Sequence, residues 1–280
     1  MIRLILCACL TALAPFSAAP QDNFLSSWQA RATRTQSEQP HWVTPLVTVT
    51  PRLEQELRAD FVRQVAPKLT DTWVIDNGKG LELIPAERIE LLFNLPAYTE
   101  HNSPTTKDGW GDVSFLGKYR FLARNEEHGN AIITGFLGGS IPTGTHGNGQ
   151  VNATVSPTVA VGKGFGRVDA QSTLGAQIPV ASGEKYGRPI TWNTAFQYKI
   201  GPAKPAPHTP SLWPEVEFNT IYYKGGDHDG KVQSFITPGA VSRFPIHKRL
   251  GLVFGVGMQI ATSEFHTYNH ALIFTARMPF

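Results

Sequence analysis

The sequence predicts an all-β protein, an antiparallel transmembrane β-barrel of about twelve strands. Three observations carry this reading. After Pro51 the chain is a succession of segments, each roughly ten residues long, in which every second residue is apolar. The connections between those segments alternate between tight and long. No stretch after the first twenty residues approaches the ~18 uninterrupted apolar residues of a membrane helix, so a membrane crossing would be made by strands. Composition agrees: 41% hydrophobic and 17% charged residues exclude a disordered chain. A net charge of +3 is too small for a nucleic-acid footprint, so no nucleic-acid partner is expected.

The expected strands are near 52–65, 72–84, 88–95, 111–122, 130–141, 151–162, 168–179, 190–199, 213–223, 234–244, 250–261 and 269–280. In the first, Leu53, Leu57, Ala59, Phe61 and Val65 keep period two, although Leu53, Leu57 and Phe61 also fit helical spacing. Asn77-Gly78 interrupts the second. In the fourth, Val113, Phe115, Tyr119 and Phe121 alternate with Asp112, Ser114, Lys118 and Arg120. In the seventh, Val168, Ala170, Leu174, Ala176 and Ile178 alternate with Asp169, Gln171, Thr173 and Gln177. The eighth has Ile190, Trp192, Thr194, Phe196 and Tyr198 on one face, and the ninth Val216, Phe218 and Tyr222. The eleventh sets Leu250, Leu252, Phe254, Val256, Met258 and Ile260 against Gly251, Gly255, Gly257 and Gln259. The last carries Leu272, Phe274, Ala276, Met278 and Phe280. Successive strand side chains point to opposite faces, so each segment has one apolar and one polar side.

A soluble β-sandwich would also alternate, with its apolar face inward. The connections separate the two. Those near 96–110, 142–150, 180–189, 224–232 and 262–268 are polar and long, while 163–167 and 245–249 are tight. The 200–212 connection is the exception. Short turns on one side and longer loops on the other belong to outer-membrane barrels. Trp110, Trp192, Trp213, Tyr222, Tyr223 and Tyr268 lie at strand ends, where interfacial aromatic girdles are expected.

Residues 1–19 read as a secretory signal peptide: Arg3, a roughly 13-residue apolar run, then Ser17, Ala18 and Ala19. Both cysteines, Cys7 and Cys9, fall within it, so the mature chain is expected to have no disulfide. Residues 20–50 read as a periplasmic N-terminal extension, by default a flexible linker or else a plug-like helix over 23–41. The barrel is expected over 51–280. An aromatic at the end of an alternating strand, Phe280, is similar to the signal read by the outer-membrane assembly machinery.

The polar face of the strands carries Arg52, Glu54, Glu56, Arg58, Asp60, Arg88, Glu90, Asp112, Lys118, Arg120, Lys199, Glu215, Glu217 and Arg277. Mixed signs at similar depth are expected to line the lumen as a paired network. Such a network either fills a narrow barrel or forms a constriction that selects solutes. Glu54/Glu56 and Glu215/Glu217 share a strand face without a convergent pocket, which is a lining pattern rather than a catalytic one. Gly225 to Lys231 has the spacing of a phosphate-binding loop, but Val232 stands where the magnesium-binding hydroxyl belongs. Asp227 and Asp229 lack the distal glutamate of a calcium loop. The histidines have no metal-ligand spacing, and neither a metal nor a cofactor is expected. A barrel-embedded hydrolase with His266 or His270 as base lacks a serine context.

Gly109-Trp110-Gly111-Asp112, followed by Lys118-Tyr119-Arg120, resembles the G-x-G-D-x-x-x-x-x-K-Y-R signature of the bacterial outer-membrane proteins labelled after the meta pathway of phenol degradation. Residues 78–85 and 138–144 are similar to stretches of exported relatives. The resemblance implies an outer-membrane barrel that takes up small, often aromatic, compounds, and it carries no residue-level site. The expected function is passive or weakly selective passage of a small-molecule solute, with outer-membrane lipid as the surrounding partner. The alternative is a non-conducting barrel that acts structurally or through loops 96–110 and 142–150.

Overall fold

The computed structural model describes residues 21–67, 70–76, 80–181, 187–201, 209–247 and 249–280. The expected signal peptide and residues 77–79 lie outside them. A helix, α1 (Gln21–Ser37), comes first. Twelve antiparallel strands follow among the described residues. They are β1 (Glu56–Val65), β2 (Asp71–Ile75 and Leu81–Ala86), β3 (Ile89–Asn94 and Tyr98–His101) and β4 (Gly109–Trp110 and Val113–Arg124). Next come β5 (Ala131–Ile141), β6 (Thr154–Phe165), β7 (Val168–Ala176 and Ile178–Pro179) and β8 (Ile190–Tyr198). The last are β9 (Ser211–Tyr222), β10 (Val232–His247), β11 (Leu250–Ala261) and β12 (His270–Pro279).

Each strand pairs with its neighbours in sequence, and β12 pairs with β1 from Glu56↔Pro279 to Val65↔His270, which closes the sheet. A closed sheet has no unpaired edge, so it satisfies its backbone without water, the condition for crossing a bilayer. This excludes the sandwich. The strand breaks have local causes. Asp76 takes a positive φ of 59° at the break in β2. Pro96, which has no N–H to donate, sits in the break in β3.

The burial pattern is inside-out. In β11, Leu250, Leu252, Phe254, Val256, Met258 and Ile260 are all exposed, while Gly251, Val253, Gly255, Gly257 and Gln259 between them are buried. Leu57, Phe61, Phe115, Phe196, Phe218, Phe274 and Met278 continue the exposed apolar surface around the wall. Contiguous apolar surface on this scale is a lipid-facing belt, not a water-facing one. At the end where β1 begins, the connections 87–88, 125–130, 166–167 and 248–249 are short and 199–210 is long. The opposite end carries 66–70, 102–108, 142–153, 180–189, 223–231 and 262–269.

Two expectations need correction. The first strand begins at Glu56, not near 52, because Arg52 and Glu54 belong to an inserted segment. Residues 38–55 do not hang outside the barrel. They run within it, where their backbone polar groups find partners on the inner wall.

Candidate functional site

The site is the lumen, and it is built around that segment. Helix α1 rests across the short-turn end of the barrel. Arg249, in the β10–β11 turn, donates to the Gln29 carbonyl (3.2 Å) and Thr35 Oγ1 to that of Glu87 (3.2 Å). Trp28 Nε1 donates to Gln55 Oε1 (2.7 Å). The chain then turns inward. The Gln39 amide holds Leu53 at both ends, accepting from its N–H (2.9 Å) and donating to its carbonyl (2.8 Å).

Extended chain with no sheet neighbour must find hydrogen bonds elsewhere, and here charged side chains of the wall supply them. The N–H of Leu46 donates to Glu215 (3.0 Å), and those of Val47 and Thr48 donate to the two oxygens of Glu217 (2.7 and 2.6 Å). The carbonyls of Thr44 and Pro45 accept from Arg277 (2.6 and 2.8 Å), and that of Leu46 accepts from Arg58 (2.8 Å). Gln171 donates to the Val43 carbonyl (3.0 Å), Lys118 to that of Arg52 (3.2 Å) and Thr134 to that of Pro51 (2.5 Å). Carboxylates thus take the N–H groups, and cations with Gln171 and Thr134 take the carbonyls, so one network holds the plug by both of its polar edges.

Packing complements the bonding. A Cβ at Gly239, Gly255 or Gly257 would lie 2.5–2.6 Å from a Leu46 methyl, and one at Gly162 would lie 2.5 Å from the Trp42 ring. These glycines hollow the inner wall to fit the plug. Leu46 and Val43 form a buried cluster with Trp213, Val241 and Val253.

Of the polar residues singled out from sequence, Arg52, Glu54, Glu56, Arg58, Asp60, Glu90, Lys118, Arg120, Glu215, Glu217 and Arg277 are buried inside the barrel. Their ion pairs are Arg52–Glu54 (2.9 Å), Arg58–Asp60 (2.8 Å), Lys118–Glu90 (2.8 Å) and, at the rim, Arg120–Glu38 (3.0 Å). Such pairing, and for Glu215, Glu217 and Arg277 the bonds to the plug backbone, offsets the cost of burying the charges. Three residues lie elsewhere. Arg88 is exposed in the β2–β3 turn, because the hairpin reverses there and ends the period-two count. Lys199 lies beyond β8, with Nζ 5.8 Å from the Trp213 ring, beside a cavity of about 300 Å³. Asp112 sits in the break in β4. It accepts the N–H groups of Thr143 (3.0 Å), Gly144 (2.9 Å) and Gln150 (2.7 Å), so it orders the 142–153 loop.

The lumen-lining set expected from sequence leaves out Glu82, Asp169, Gln171, Gln197, Asn219 and Gln259, all buried inward. The same alternation that marks the charged positions marks these. Of the expected girdle, Trp110, Trp192 and Tyr222 face outward. Trp213 is instead buried against the plug, because its place in the β9 alternation points it inward, and Tyr268, in the 262–269 connection, reaches into the lumen. His266 spends both ring nitrogens on its own loop, one near the Ser263 carbonyl (2.8 Å) and one near Asn269 Oδ1 (3.1 Å).

The long-loop half is open. A cavity of about 380 Å³ at the mouth shares Thr191 and Ile221 with one of about 260 Å³ above Leu46 and Val47. It shares Thr154 and Gln177 with one of about 240 Å³ above Val49. The three form a vestibule whose floor is the plug. Among the described residues its walls carry no lysine or arginine.

Fold and lumen together define a transmembrane β-barrel of twelve strands, closed toward its short-turn end by its own N-terminal segment. Solved structures of membrane proteins are similar to it. An outer membrane channel from Pseudomonas putida F1 is similar over 85% of this chain and 100% of its own, at 12% identity and a TM-score of 0.57. The NanC porin matches over 81% of this chain and 98% of its own, at 7% identity and a TM-score of 0.49. The β domain of the Bordetella autotransporter BrkA matches over the same shares, at 12% identity and a TM-score of 0.45. The first of these shows the shared fold. No family model and no curated protein matches the chain.

Proposed function

We propose that the protein is an outer-membrane channel for small solutes, gated by its N-terminal segment. The observation that carries this is the vestibule. It descends from the long-loop mouth through a polar lumen and ends on a plug that belongs to neither wall nor loop. Non-covalent contacts hold the plug, so it can be displaced without opening the barrel. The likeness to the Pseudomonas putida F1 channel supports the same reading through the fold. The lipid-facing belt and the signal-like N-terminus support an outer-membrane location, with the short-turn end periplasmic. Phe280 is the residue through which the assembly machinery would read the chain. Its backbone is tied to Gln55 once folded. The small aromatic solutes implied by the Gly109-Trp110-Gly111-Asp112 resemblance are one class such a channel would pass.

Reconstituted protein is expected to give single-channel currents and to let small solutes swell liposomes. Deletion of residues 38–50 should raise the conductance. A barrel that stays sealed to ions and to a panel of small solutes, with or without the segment, would overturn the reading.

A further inference from the structure

The charges of the lumen are not evenly spread. They crowd around the plug, and above it, Asp60, Asp227 and His228 apart, the polar groups of the described walls are amides and hydroxyls. At the cavity over Leu46 a chain of donors runs along the wall. Tyr268 Oη donates to Gln259 Oε1 (2.6 Å), and Gln259 Nε2 donates to Asn219 Oδ1 (3.1 Å), which Thr237 Oγ1 also reaches (3.1 Å). Burial pushes the Tyr268 phenol well up, so the chain keeps this direction. Asn219 is 5% exposed, and its Nδ2 has no acceptor among the described residues. A buried amide donor without a partner costs about 1–3 kcal/mol, and an unmatched group of this kind calls for an explanation. The two adjoining cavities repeat the feature, with Asn152 Nδ2 unmatched in one and Asn94 Oδ1 in the other.

Charge excludes ions as the natural occupant. Among the described residues an anion would meet no lysine or arginine on these walls, and the carboxylate nearest the plug, Asp60, is already paired with Arg58 at 2.8 Å. At its floor the vestibule is small. The lower cavity, at about 260 Å³, falls short of the roughly 300–1,000 Å³ of drug-sized ligand sites. A plain aromatic ring would leave the Asn219 amide donor unmatched. Sites built to bond hydroxyls discriminate against analogues that lack them. Phe235 and Tyr268, stacked at 4.6 Å, add one flat apolar wall.

We propose that this vestibule is a binding site for a small uncharged polyhydroxylated solute of the monosaccharide class. Asn219 and Gln259 bond the hydroxyls, and Tyr268 with Phe235 takes the apolar face of the ring. The assignment rests on the channel reading for its role in transport, but binding itself can be measured without flow. The test is equilibrium binding of glucose to the full-length protein in detergent, with phenol and benzoate as competing classes, beside a separate conductance measurement. Glucose should bind, and Asn219→Asp should weaken it about tenfold, or ~1.4 kcal/mol. That variant keeps the acceptor for Thr237 and Gln259 and exchanges the unmatched donor for a carboxylate oxygen, so the wall's own bonds survive. Gln259→Leu should weaken it likewise. Phenol or benzoate binding more tightly than glucose, or glucose binding unchanged in Asn219→Asp, would overturn the proposal. Glucose binding lost in the wild type while the barrel conducts would sink the assignment and spare the channel. Glucose bound by a sealed barrel would spare the assignment and sink the channel.

Discussion

Glu217 holds Thr48. Its carboxylate accepts the Thr48 N–H at 2.6 Å with one oxygen and the Val47 N–H at 2.7 Å with the other, across 169 and 170 residues of sequence. Glu217→Ala leaves both N–H groups without an acceptor, at roughly 1–3 kcal/mol each. The plug rather than the barrel should loosen. Limited proteolysis within 38–50 is expected to quicken while the barrel keeps its strand content. Cleavage at the wild-type rate would show that the carboxylate does not hold the segment.

Leu46 fits only because three wall positions lack a side chain. Gly257→Val places carbon where the Leu46 methyl lies, so the plug is expected to shift outward and the conductance to rise. Leu46→Ala, which vacates the same space, should rescue the Gly257→Val protein toward the closed state. Equal conductance in wild type and Gly257→Val would show that the close approach does not set plug position.

Lys118 and Glu90 face each other across β4 and β3, 2.8 Å apart and fully enclosed. Lys118→Met strands a buried carboxylate and should destabilise the barrel by about 3–5 kcal/mol. The double variant with Glu90→Gln should recover most of that in urea unfolding. Additive losses would mean that the two groups act independently.

At the short-turn rim, Glu126 accepts from the His41 backbone N–H (2.6 Å) and meets its ring Nδ1 (2.7 Å). Burial alone would raise this carboxyl, but the bonds from His41 outweigh it and bring it from 4.5 down to about 2. A depressed carboxylate contributes fully above its unfolded value and loses that contribution as pH falls from near 4.5 to about 2. The partners are 53% and 42% exposed, so the effect stays below ~1 kcal/mol. Glu126→Gln should flatten the fall of the unfolding midpoint over that interval. An equally steep fall in the variant would place the acid response at other groups.

The wall was legible in the sequence because a strand's faces are written locally. The Leu250 to Ile260 row and its glycine partners show period two without knowledge of anything else in the chain. Twelve such rows, with connections that alternate in length, are enough to count the strands and to say which face meets lipid. The polar residues that line the lumen follow from the same alternation, as with Glu215 and Glu217 or Arg58 and Asp60. Arg88 went astray where a two-residue turn broke the count, and Asp112 where a strand break turned it toward a loop.

The plug was not legible, and the reason is its bonding. Residues 38–55 have no period, since they follow neither a helix nor a sheet. Their partners, Glu215, Glu217, Gln171 and Arg277, lie 128 to 233 residues away. The glycines at 255 and 257 hinted at it, as inward positions left without side chains for something else to fill. Composition and alternation determined that this chain is a barrel and which residues face inward. Whether the inside is open or filled was decided by tertiary structure alone, because the filling is a distant segment whose hydrogen bonds exist only once the barrel has closed around it.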